Sequence, residues 1–384
     1  MAAGEKLSGL NGLRGLASLG VTLHHFEQIR SVYGLPSLWH FSLVLRLGGL
    51  CVSLFFVLSG FLITFLLLRE YQSRAEISVR SFYMRRILRV WPLYFFTTAL
   101  GFFVLPFIPA YSLPDFAPVV DADYWTKFAF YMAFMPHVEA WFYPSINYAG
   151  VLWSVGVEEW FYLGWPWLVL WARARLWVVL FAIAVFFLVG RYVFREGVAF
   201  DFFGQVRFDC MAIGAMGAVA VTARSKTIDG VLRKMFSLSG QLIALGLIVA
   251  TVLLQLTLQS VPPVSQTLFS IYFLWLILNV AINPAPIFSL DFRVLEWLGK
   301  VSYSMYCLNW VSLVSALVIL KYLNFDLSSW TAHGAHLLFA LATTFALSAL
   351  SYRYIERPFL AWKTRSFSST EPGALRLSTA SSRP

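Results

Sequence analysis

Apolar positions along this chain fall into long continuous runs rather than alternating or amphipathic stripes. Runs over residues 10–26, 47–68, 92–109, 151–171, 176–189, 208–222, 238–258, 264–282, 301–320 and 330–350 approach or reach the roughly 20 residues that carry a helix across a bilayer. The pattern predicts an all-α polytopic membrane protein with about ten transmembrane helices. A further apolar stretch, 128–135, is too short to span and is followed by Pro136, so it is expected to be re-entrant or interfacial. Strands of an outer-membrane barrel would alternate instead. No internal repeat or separate soluble domain interrupts the runs, which places residues 1–365 in one membrane domain. Beyond Arg365 the chain turns Ser/Thr-rich with too little apolar content to fold alone, and residues 366–384 are expected to form a disordered cytoplasmic tail.

Composition agrees with this pattern. Of 384 residues 59% are hydrophobic and 12% charged, against roughly 25% charged in soluble domains. The net charge of +10 could suggest nucleic acid, but in a membrane protein basic residues are first expected in cytoplasmic loops. With the N-terminus inside, 21 Lys and Arg fall in cytoplasmic segments and 6 outside, so both termini are predicted cytoplasmic and the basic excess needs membrane lipids, not nucleic acid, as its partner. The outer segment 110–150 carries Asp115, Asp121, Asp123 and Glu139 against a single Lys127, and its length makes it a candidate lid or acceptor-binding element. Cys51, Cys210 and Cys307 are too far apart in sequence for a disulfide framework or metal spacing. The first run contains Arg14 and lacks a small-residue cleavage site, which marks it as a retained helix rather than a signal peptide.

Ionisable side chains inside membrane helices are costly unless paired or hydrated, so they are functional candidates. Arg14 and His25 lie eleven residues apart, nearly on one helix face and about 16 Å apart along the axis, whereas His24 points about 100° away. Snorkelling of Arg14 and an interfacial His25 are the plainer alternative. The segment Met84-Arg85-Arg86-Ile87-Leu88-Arg89 precedes an apolar run; if helical, Arg85 and Arg89 pair at i,i+4 and Arg86 and Arg89 at i,i+3. Guanidinium clusters suit phosphate, while topology determination or anionic lipid would explain the charge equally simply. Trp153-Ser154, Glu158-Glu159 and Tyr162 place two carboxylates in an aromatic-rich helix, with Glu158 and Tyr162 on one face. Glu158 could orient a histidine, accept a proton or pair with an Arg. Ser59-Gly60 permits close packing, Tyr303, Tyr306 and Asn309 bring hydroxyls and an amide into the ninth helix, and Glu356 can neutralise a nearby Arg. Phosphate-binding glycine loops, paired-histidine zinc motifs and nucleophile elbows are absent from the sequence.

Taken in order, Leu10-Asn11-Gly12-Leu13-Arg14-Gly15 with His25, Phe55-Phe56-Val57-Leu58-Ser59-Gly60, Arg86-Ile87-Leu88-Arg89 with Pro92-Leu93-Tyr94, Trp153-Ser154 with Glu158-Glu159, Ser302-Tyr303 with Tyr306, and Glu356-Arg357-Pro358 resemble the membrane-bound acyltransferase family 3. Members of that family acylate sugars of cell-surface glycans and some small molecules. The sequence departs from the family where many relatives have Asp (here Asn11) and His (here Asn309), and the second change leaves His25 as the main base candidate.

The resemblance implies an inner-membrane O-acyltransferase that takes an acyl group, expected to be acetyl, from cytoplasmic acyl-CoA as donor substrate, with no permanently bound cofactor and no metal. The acceptor implied is a sugar hydroxyl of a lipid-linked oligosaccharide or cell-surface glycan, such as exopolysaccharide or lipopolysaccharide, at the outer face. Arg14, Arg85, Arg86 and Arg89 would hold CoA, His25 would act as general base or transient acyl carrier with Glu158 orienting or stabilising it, and Trp153, Ser154, Tyr162, Tyr303 and Tyr306 would line the substrate path. A glycan transporter or flippase, which needs intramembrane charge but no acyl-CoA, and a non-catalytic subunit of a polysaccharide assembly system are the competing readings.

Overall fold

A computed structural model describes residues 7–114, 119–144, 146, 148–223, 225–257 and 263–367. Among the described residues 83% are helical and none lies in a strand. The helices are α1 (Leu10–Val32), α2 (Ser42–Arg74), α3 (Val79–Ala99), α4 (Tyr124–Met132), α5 (Pro136–Phe142), α6 (Trp153–Ala172), α7 (Leu176–Val193) and α8 (Gly197–Gln205). They continue with α9 (Phe208–Thr222), α10 (Lys226–Phe236), α11 (Leu238–Thr257), α12 (Val264–Ile282), α13 (Arg293–Tyr322), α14 (Trp330–Ser351) and α15 (Arg357–Phe367).

Each of the ten predicted runs falls on a helix, but length and apolarity alone qualify only seven as spans: α2, the helix from Val79 through Phe107, α7, α11, α12, α13 and the helix from Trp330 through Trp362. The three others miss for physical reasons. α1 carries Arg14, His24, His25, Glu27 and Arg30, α6 carries Glu158 and Glu159, and α9 has 15 residues. Gly197–Thr222 with Lys226–Phe236, bent by 114°, would add an eighth span only if read as one broken segment. The short apolar stretch in the outer segment is nine-residue α4, too short to cross and packed through Tyr124, Lys127 and Tyr131. Asp115, and residues 368–384 of the expected tail, lie outside the described residues.

Two helix pairs, α1 with α13 and α2 with α9, make the most extensive contacts. Lipid gives helices no hydrophobic drive to associate, so close van der Waals approach at small residues has to supply it. A Cβ on Gly60 would lie 2.0 Å from the Met211 carbonyl oxygen, and one on Gly214 2.0 Å from that of Val57. Gly60→Ala is therefore expected to destabilise the fold by about 1–3 kcal/mol, at the upper end because the obstacle is backbone. Gly164→Ala, with nothing within 4 Å, is the neutral control; equal denaturant midpoints for the two variants in micelles would show the α2–α9 contact to be looser than this. Outward, α7 and α11 leave Phe181, Phe186, Leu242 and Leu247 exposed, as lipid-facing surfaces require.

Buried charges tie the bundle together where the apolar pattern is silent. Arg191 of α7 donates to Asp209 of α9 at 2.6 Å and to the Thr267 hydroxyl of α12 at 2.8 Å. At the far end of α1, Arg30 is fully buried and bonds the Pro36 carbonyl (2.7 Å) and His336 Nδ1 (2.9 Å). Glu27 meets His333 at 2.9 Å and accepts from the Leu38 amide at 2.6 Å. Each of these buried charged groups is hydrogen-bonded, the condition under which burial of ions is tolerated.

Candidate active site

A narrow cavity of about 90 Å³ lies among α1, α2, α3, α6 and α13. Arg14 enters it from α1, Arg86 and Arg89 from α3, Ser154, Glu158 and Tyr162 from α6, and Tyr303 and Tyr306 from α13. Helical spacing accounts for this convergence. Arg86 and Arg89 sit one turn apart on the inward face of α3, because that helix begins at Val79 and continues unbroken past Pro92 to Ala99.

Glu158 is the carboxylate in the wall. It accepts hydrogen bonds from Ser59 Oγ at 2.8 Å and Tyr162 OH at 2.7 Å, and its charge faces Arg14 and Arg86. The neighbouring acids are already engaged: Glu159 accepts from Trp91 Nε1 at 2.9 Å, and Glu356 accepts from the Ser304 hydroxyl while facing Arg89. Among the described residues no carboxylate comes within 4 Å of the Arg14, Arg86 or Arg89 guanidinium, and Arg86 Nε is buried without a hydrogen-bond partner. Arg86 instead lies over the Tyr162 ring at 5.7 Å. Three guanidinium groups around one carboxylate leave the cavity positive, an arrangement suited to an anionic ligand.

Tyr303 donates to the Val90 carbonyl at 2.9 Å and struts α13 against α3, while the Tyr306 and Ser154 hydroxyls meet at 2.7 Å in the cavity wall. His25, which is not among the lining residues, packs against Trp310 with ring centroids 5.6 Å apart and faces Asn309. His24 turns the other way, its Nδ1 2.8 Å from the Val44 carbonyl of α2 and its ring beside Trp39.

Three of the residues read from the sequence sit elsewhere than expected. Arg85 does not line the cavity: it pairs with Glu70 at 3.6 Å, because the i,i+3 face of α3 turns inward and leaves Arg85 on the flank facing α2. Glu158 shows no hydrogen bond to His25; its two oxygens are taken by Ser59 and Tyr162. Trp153 is outside the cavity wall, edge-on to Phe56 and under Arg207 at 5.8 Å. Arg207 in turn donates to the Gly49 carbonyl (2.8 Å) and Ser53 hydroxyl (2.9 Å). The sequence reading missed Ser59 as a partner of Glu158. Its signal was a hydroxyl beside a glycine in an otherwise apolar helix, which packing alone explained.

The outer segment is less acidic than its composition suggests. Lys127 is buried and pairs with Asp121 at 2.6 Å, and burial pushes Glu139 up to about 8 and His137 down to about 4.

A family model described as an acyltransferase domain, the third acyltransferase family, matches residues 7–353. The chain belongs to this family. Among curated proteins it is 32% identical over 161 residues to O-acetyltransferase OatA of Staphylococcus aureus (strain NCTC 8325 / PS 47), which covers 42% of this chain and 24% of OatA. It is 26% identical over 372 residues to SACOL0978 of S. aureus (strain COL), whose O-acetyltransferase name is provisional, covering 92% of this chain and 57% of that protein. The chain thus spans about a quarter and just over half of the lengths of these relatives. No solved structure matches it.

Proposed function

We propose that the protein is a multi-pass inner-membrane O-acyltransferase that moves an acetyl group from cytoplasmic acyl-CoA to a sugar hydroxyl of a cell-surface or lipid-linked glycan at the outer face. The observation that carries this reading is the cavity lined by three guanidinium groups and one carboxylate. Its positive excess fits the phosphates of CoA, and its narrowness fits a thin thioester arm rather than a sugar. Family membership and the O-acetyltransferase names of OatA and SACOL0978 support acyl transfer.

Arg14, Arg86 and Arg89 hold the anionic donor, and its arm extends past Tyr306 toward His25. His25 takes the proton of the acceptor hydroxyl as that oxygen attacks the thioester carbon, and the proton leaves with the CoA thiolate. The exposed Trp125 of the outer segment offers an aromatic face and a polar edge that hold a glycan. Membranes containing the protein, given acetyl-labelled acetyl-CoA and the producing cell's glycan lipids, are expected to move label into non-protein material and to release CoA. Protein-dependent transport of glycan lipid without CoA release would overturn the reading in favour of a flippase.

The two arginine environments make a sharper expectation. A charge-assisted hydrogen bond to phosphate is worth about 1.5–3 kcal/mol, so Arg86→Ala should weaken acetyl-CoA binding by roughly 10- to 100-fold. Arg85→Ala should leave binding unchanged, because Arg85 is engaged by Glu70. Equilibrium binding of labelled acetyl-CoA to the purified variants checks this, and equal losses would place the donor's phosphates outside the cavity.

A further inference from the structure

Asn309 is fully buried in α13, yet among the described residues neither Oδ1 nor Nδ2 has a hydrogen-bond partner. His25 faces it closely enough for the two side chains to interact, and His25 Nδ1 is likewise buried with no partner at hydrogen-bond distance. A buried carboxamide open at both its donor and its acceptor is a destabilising arrangement unless something else completes it. Asn309 also lies close to the arginine cavity: Tyr306, one turn earlier on α13 and about 4.5 Å along its axis, lines that cavity together with Ser154.

We propose that Asn309 is a catalytic residue whose Nδ2 donates to the thioester carbonyl oxygen as that oxygen becomes an oxyanion, while His25 receives the proton of the attacking hydroxyl. This rests on the acyl-transfer reading above. The acceptor oxygen forms a C–O bond to the thioester carbon, the carbonyl electrons move onto the oxygen held by Asn309, and the tetrahedral adduct collapses with cleavage of the C–S bond. The proton held by His25 passes to the leaving CoA thiolate, so no further reactant is needed. The ligand class is an acyl thioester met by an alcohol, and the amide supplies a neutral donor that stays charge-free in an apolar setting.

The test uses the full chain in membranes of the producing organism with acetyl-CoA, reading thiol release and label transfer, together with the thermal midpoint of the purified variants. Asn309→Leu keeps the size of the side chain and removes both unpartnered polar groups, so its midpoint is expected to match or exceed that of the wild type. Its turnover is expected to fall about 100-fold with the KM for acetyl-CoA unchanged. Asn309→His, which restores an N–H donor, is expected to recover at least about tenfold of that loss. Wild-type turnover in Asn309→Leu would overturn the proposal alone, as would a loss of activity that follows a fall in midpoint. A wild-type protein that releases no thiol would overturn the acyl-transfer reading, and this proposal with it.

Discussion

His25→Gln is expected to slow acetyl transfer by about 10²–10⁴-fold while leaving binding of acetyl-CoA intact. Glutamine keeps roughly the length and one hydrogen-bonding edge of the imidazole, so packing against Trp310 and α13 should survive. It cannot accept a proton near neutral pH, which imidazole does. Donor binding should be spared because the guanidinium groups that carry it lie a helix half-length away: Arg14 is eleven residues earlier on α1, about 16 Å. The check is transfer of label from acetyl-CoA by membranes with matched protein levels, alongside equilibrium binding. Equal transfer by both proteins would remove His25 from the reaction and leave only the family assignment. Loss of binding together with transfer would mean that His25 supports the cavity rather than the chemistry. Label retained on acid-quenched wild-type protein but not on His25→Gln would instead identify an acyl-enzyme step.

The ten apolar runs were legible because a membrane helix announces itself by composition alone, and every one of them coincides with a helix. Their partners were not legible. Arg30 and His336 are 306 residues apart, and Arg191 lies past the end of one run while Asp209 opens the next, so nothing local marks either as a pair. The glycines that bring α2 against α9 could be read as small residues but not matched to each other. The same limit governs the site. Spacing put Glu158 and Tyr162 on one face, and they are hydrogen-bonded. Spacing also put Arg14 and His25 on one face, and α1 presents Arg14 to the cavity and His25, outside its lining, to Trp310 of α13. Spacing could not choose between the two pairings available in Arg85, Arg86 and Arg89, because the rotation of α3 about its axis is set by what it packs against. Glu70 takes Arg85, and the other two turn inward. Nor could spacing assign a target to Glu158, whose place in the bundle follows from the register of α6 against α2 and α3.

That register carries the second large expectation, for Glu158→Gln. Glu158 is the only carboxylate lining a cavity that also holds Arg14, Arg86 and Arg89 among the described residues, and it faces two of them. Removing one member of a buried charge cluster typically costs about 3–5 kcal/mol, since the remaining cations are left without compensation. The variant should therefore show a lowered thermal midpoint in detergent, although Ser59 and Tyr162 could still bond an amide of the same shape. An anionic donor would supply the missing charge. Ligand binding to the folded state stabilises it in proportion to how far ligand exceeds Kd, and Glu158→Gln should bind CoA at least as tightly as the wild type because the site has become more positive. Saturating CoA should consequently raise the midpoint of Glu158→Gln by more than it raises that of the wild type, closing part of the gap. A midpoint for Glu158→Gln equal to the wild-type value without ligand would show that solvent in the cavity already screens the guanidinium groups. A lowered midpoint that CoA does not restore would show that the anion site lies away from Glu158, and would separate the arginine cavity from donor binding.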